Sequence, residues 1–116
     1  MTEPSDTPQG KVALIFAQLL VSGNFVAAHN MLAASLKPSL STERLKAEYD
    51  SMIQDGEPPN FIGVMEAVED RPKRRPGDVG WAYVAISGPG YGEAVAVVVA
   101  QEEGHSVIRS IVWGRP

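Results

Sequence analysis

The chain has 116 residues, 44% apolar and 21% charged, with a formal net charge of −4, the size and make-up of one globular domain. It contains no cysteine, which excludes disulfides, thiolate metal sites and cysteine nucleophiles. Its two histidines show no HxxxH or HxxE spacing, and the acidic balance argues against general nucleic-acid binding, where affinity comes from neutralising phosphates.

The opening "MTEPSDTPQG" is polar, with no basic segment leading into an apolar core. Residues 1–7 are expected to form a disordered tail and 8–116 a single domain. The apolar stretch "VALIFAQLLV" runs for ten residues, well short of the roughly 20 that span a bilayer. A cytoplasmic protein is the default expectation, with earlier removal of a signal peptide left open.

Thr7 and Pro8 form a helix start, an N-cap followed by proline in the first turn. Val12, Ile15, Phe16, Leu19 and Leu20 then predict one buried stripe, and Gly23 predicts the stop. A second, alanine-rich helix is expected from about Phe25 to Leu36, with Phe25, Ala28, Leu32 and Leu36 on one face. Ser41 predicts the cap of a third helix, stapled by Leu40 and Leu45, with Leu45, Tyr49, Met52 and Ile53 buried. "QDGEPPN" ends the helical half.

Beyond Asn60 the pattern becomes extended. Four strands are predicted: "FIGVMEAVE", "VGWAYVAIS", "GEAVAVVVAQ" and "SVIRSIVW". The separators "GPGY" and "EEGH" carry glycine for tight turns, so the last three strands should form an antiparallel meander. "AVAVVVA" (94–100) lacks polar alternation and should be a central strand covered on both faces. The helices can cover one face, and a subunit partner or an apolar ligand is the natural cover for the other.

Three amphipathic helices followed by a curved antiparallel sheet make an α+β layout. The segment "FAQLLVSGNFVAAHNMLAASLKPSLSTERLKAEYDSMI", together with "GWAYVAI", "GEAVAVVVAQEEG" and "IRSIVWGRP", resembles small bacterial members of the nuclear transport factor 2-like superfamily, from about Lys11 to Trp113. That resemblance implies a cone-shaped fold with an internal pocket and frequent dimerisation through the outer sheet face. Its members include isomerases, dehydratases, epoxide hydrolases, partner-binding proteins and immunity proteins against toxins, and fold alone does not choose among them.

Candidate site residues are few. His29 is a weak catalytic candidate whose plainer reading is structural, and His105 reads as an exposed turn residue. Trp81 and Tyr83 share one face of the second strand. Arg109 and Trp113 share a face of the fourth with Val107 and Ile111, by simple alternation. These four residues should line either a ligand pocket or a dimer interface, with the interface favoured, and Glu66 is expected to salt-bridge Arg109. "GPGYGE" fails as a phosphate loop because no helix follows it.

The stretch "EDRPKRRPGD" holds Arg71, Lys73, Arg74 and Arg75, four of the ten basic residues. It reads first as a solvated connection, partly neutralised by Glu69, Asp70 and Asp78, and second as a contact loop for an acidic protein partner. No cofactor, metal, nucleic acid or membrane is expected. The leading expectation is a non-catalytic binding domain that recognises a protein partner, of which a toxin-neutralising immunity protein is one form, with homodimerisation through the sheet expected as part of the same reading. A small-molecule pocket protein is the alternative, and an isomerase- or dehydratase-type enzyme is third.

Overall fold

The computed structural model describes residues 3–53, 58–69 and 75–114. It is an α+β domain: helices α1 (Pro8–Val21), α2 (Phe25–Asn30) and α3 (Thr42–Ile53) precede strands β1 (Phe61–Val68), β2 (Asp78–Gly88), β3 (Tyr91–Glu102) and β4 (His105–Trp113). The strands form one antiparallel sheet in the order β1-β2-β3-β4, with no pairing between β1 and β4, so the sheet curls without closing.

Helix α1 begins as its residues dictate. The Thr7 hydroxyl oxygen accepts the Gly10 N–H at 3.0 Å, and Pro8 occupies the first turn. Within the stretch expected to be a tail, Pro4–Asp6 form a 3-10 turn. At the far end Gly23 adopts φ +81°. Its N–H bonds the Leu20 carbonyl and that of Asn24 bonds the Leu19 carbonyl, the Schellman arrangement that satisfies the last carbonyls.

The buried face of α1 is rotated from the expected stripe. Gln9, Ala13, Phe16, Ala17 and Leu20 are buried, whereas Ile15 is 52% exposed. The reason is close approach: the small Ala13 and Ala17 admit the sheet. Gln9 also sits where Gly80 leaves room, since a Cβ built on Gly80 would lie 2.7 Å from the Gln9 amide nitrogen.

The second helix is shorter than its sequence predicts, ending at Asn30. Met31–Ala33 instead run alongside β4: the Ile108 N–H donates to the Met31 carbonyl at 2.8 Å, and the Ala33 N–H donates to the Ile108 carbonyl at 2.7 Å. This parallel bridge at Leu32 and Ile108 takes backbone groups that a longer helix would need for itself, and it buries both side chains. It also covers part of an edge strand.

Helix α3 follows its prediction. The Arg44 N–H donates to the Ser41 hydroxyl at 3.1 Å, and Leu40, Leu45 and Tyr49 join the core, with Met52 and Ile53 packed against it. Strand β3 is central, between β2 and β4. Val95, Val97 and Val99 meet Ala82, Val84, Ile86, Phe16 and Leu20 in the core on its inner face. On its outer face Ala94, Ala96 and Ala100 are small enough to be buried between larger neighbours.

Candidate functional site

The strand register sorts every candidate residue. Ala82 pairs with Val97 and Val84 with Val95, and these face the helices. Trp81 pairs with Val98 and Tyr83 with Ala96, and these face outward. Trp81 and Tyr83 stack there, ring centroids 6.0 Å apart and planes 23° apart. Phe61, opposite Ser87 on β1, is 50% exposed on the same face, and Val112, opposite Ala96 on β4, is 57% exposed. The helices pack against the other side of the sheet.

Trp113 does not join this group. It pairs with Val95 and packs against the core cluster on the helix side. The alternation that would align it with Val107 and Arg109 is broken by a bulge: Val98 pairs with Ser110 but Val99 with Ile108. Arg109 is the extra residue, so Ile111 and Trp113 point inward while Val107 takes the outer register.

The expected salt bridge between Glu66 and Arg109 is not formed. The Arg109 Nε and Nη2 donate to the two carboxylate oxygens of Asp78 at 2.8 Å each, and Glu66 is exposed at the β1 bulge. Asp78 also accepts the backbone N–H of Arg75 at 2.9 Å, which fastens the end of the basic segment to the start of β2. Arg75 itself is exposed; Arg71, Lys73 and Arg74 lie outside the described residues.

A second surface lies at the opposite end of the sheet and on its helix side. An open cleft of about 320 Å³ is lined by Glu48, Ser51 and Met52 of α3, Glu93 of β3, Trp113 of β4 and Gly114. The Trp113 indole N–H donates to one Glu48 carboxylate oxygen at 2.6 Å, and Arg44 donates to the other at 2.9 Å. Nearby, burial pushes the Tyr49 phenol up to about 12 from its ordinary 10.0, with Tyr91 and Asp50 adding to the shift. A phenol so shifted stays protonated at neutral pH and is a poor proton acceptor.

Neither histidine enters the cleft. His29 is half-buried on α2, and His105 is exposed where β4 begins. No group of three or more metal-ligating side chains occurs among the described residues, and no described helix is long and apolar enough to cross a membrane. Sequence reasoning missed Asp78, Glu48 and Glu93. Glu48 carried one usable signal, its i,i+4 spacing from Arg44, which marks an ion pair but not the indole it also holds.

The fold and these two surfaces define a small α+β domain with helices on one face of an open antiparallel sheet. The chain matches no family model, no curated protein and no solved structure.

Proposed function

We propose that this chain is a non-catalytic binding domain whose outer sheet face, with the basic β1–β2 connection, docks an acidic protein surface that carries an apolar patch. The observation behind it is the Trp81–Tyr83 stack on a sheet face that the helices leave open. Aromatic side chains on such a face supply large contact area at low entropic cost. Charge complementarity selects the partner. Residues 71–75 bring four cations into the connection between Val68 and Asp78, and Val68 is the cross-strand partner of Trp81. Asp78, the acidic residue that closes this connection, is engaged by Arg109.

A toxin-neutralising immunity protein is one form such a binder takes. Membership of the nuclear transport factor 2-like superfamily is part of the same proposal, supported by the order of three helices before a curled four-stranded sheet.

The test is capture of partners from the host's lysate by the wild type, by Trp81→Ala and by the double variant Arg74→Glu/Arg75→Glu, followed by reconstitution of the purified pair. The reading requires an acidic partner held at fixed ratio, lost with either variant, and bound less tightly as salt rises. A partner that binds equally to all three proteins overturns it. The expectation of a homodimer through the sheet is the rival occupant of this face: a stable homodimer that Tyr83→Arg converts to monomer would give the outer face to a second copy of the chain and overturn the partner reading.

A further inference from the structure

We propose that the cleft between α3 and the end of β4 is a binding site for a small organic cation, a protonated or quaternary amine on an apolar body. This site is independent of the partner surface, since it lies on the helix side of the sheet.

Its lining is mixed. Trp113 supplies an aromatic wall, Met52 a polarizable thioether, Ser51 a hydroxyl, and Glu48 and Glu93 two carboxylates; among the described residues no cationic side chain lines the cleft. A volume of about 320 Å³ lies at the small end of ligand pockets. An anion entering would meet the Glu93 carboxylate, and a neutral apolar molecule would cover it without compensation. A cation gains from Glu93 and from the indole ring.

The two carboxylates have different duties. Glu48 is committed, one oxygen to the Trp113 indole and the other to Arg44, so it positions the aromatic wall. Glu93 makes no hydrogen bond or ion pair among the described residues, which leaves its lone pairs for a ligand. Gly114 lies beside it: a Cβ there would make only ordinary contact with the Glu93 carboxylate, at 4.0 Å. Gly114 is held in this position by φ +84° and by its N–H bond to the Ala94 carbonyl at 2.7 Å.

The chain's two tryptophans provide the test. Phenethylammonium is titrated into the nitrogen-15-labelled protein while both indole N–H signals are followed, and phenylacetate serves as the probe of similar body and opposite charge. The expected result is a saturable shift of the Trp113 signal with a dissociation constant of about 1 mM or tighter, no saturable shift at Trp81, and no response to phenylacetate. Glu93→Gln should weaken the cation about tenfold, the loss of one charged hydrogen bond, while its dispersed spectrum shows that the fold is kept. The proposal is overturned by no saturable Trp113 shift up to about 10 mM, by an equal response to phenylacetate, or by undiminished binding to Glu93→Gln.

Discussion

Arg109 and Asp78 hold each other by two parallel hydrogen bonds of 2.8 Å across the intervening strand β3. The Asp78 side chain is 3% exposed and that of Arg109 21%, so the pair is largely removed from water. A bulge lies at each end of this clamp, between Asp78 and Gly80 on β2 and between Val98 and Val99 in the β3–β4 register. The extra residue in β4 lets its side chain reach past one strand to the next, tying together three of the four strands.

Removing one member of such a pair leaves the other buried and uncompensated. Arg109→Ala should therefore destabilise the fold by about 3 kcal/mol, read as a drop in the urea midpoint at unchanged slope. Arg109→Lys should recover only part of the loss, because an ammonium cannot present two parallel donors. The double variant Asp78→Ala/Arg109→Ala should be closer to wild type than the sum of the single losses. A single-variant cost below about 1 kcal/mol would mean the pair behaves as an exposed one.

The β3–β4 turn contains a removable strain. Glu103 has φ +51° and Gly104 φ +81° between the paired residues Glu102 and His105. Two positive φ angles in a two-residue hairpin mark the turn type that prefers Asn-Gly. A glutamate in the left-handed region costs about 1 kcal/mol. Glu103→Asn should raise stability by a comparable amount without disturbing the register, as measured by urea unfolding. An unchanged or lower midpoint would show that Glu103 compensates its strain in some other way.

These turns explain why the sheet could be read from the sequence. The Pro89-Gly90 and Glu103-Gly104 pairs sit between apolar runs, and each predicted strand begins and ends within two residues of an observed one. The failures share a different cause. Nothing local in "MLAA" announces that its backbone will bond to Ile108, so the second helix was predicted too long. The bulge at Arg109 goes with a bond to a carboxylate 31 positions away, which no local pattern announces, so alternation put Trp113 on the wrong face. The cleft was hidden for the same reason: Glu48 and Glu93 lie on different elements, and only the packing of α3 against the sheet makes them neighbours of one indole.

Alkaline pH should act through Tyr49. Burial, then Tyr91 and Asp50, raises its folded-state pKa to about 12 from 10.0. The unfolded chain therefore releases this proton first. Its stabilising contribution is complete below pH 10 and is lost as pH rises through about 12. The urea midpoint should fall between about pH 10 and about pH 12, and Tyr49→Phe should fall less over the same window. Equal slopes in the two proteins would remove Tyr49 from the cause.

Gly10 should invert a familiar rule. Inside a helix, Gly→Ala ordinarily stabilises by about 1 kcal/mol. Here a Cβ would lie 2.0 Å from the Pro4 carbonyl oxygen and 2.7 Å from the Thr7 hydroxyl. The first contact is with backbone, which cannot swing aside without unseating the Pro4–Asp6 turn, and the second with the N-cap that satisfies Gly10 itself. Gly10→Ala should therefore lower stability in the full chain, by about 1 kcal/mol for the lost cap alone. In a chain starting at Thr7 the Pro4 carbonyl is gone and the hydroxyl can rotate, so the same substitution should become neutral or stabilising. Urea unfolding of the four proteins measures both effects. A stabilising Gly10→Ala in the full chain would mean that the N-terminal turn yields at no cost and does not hold the start of α1.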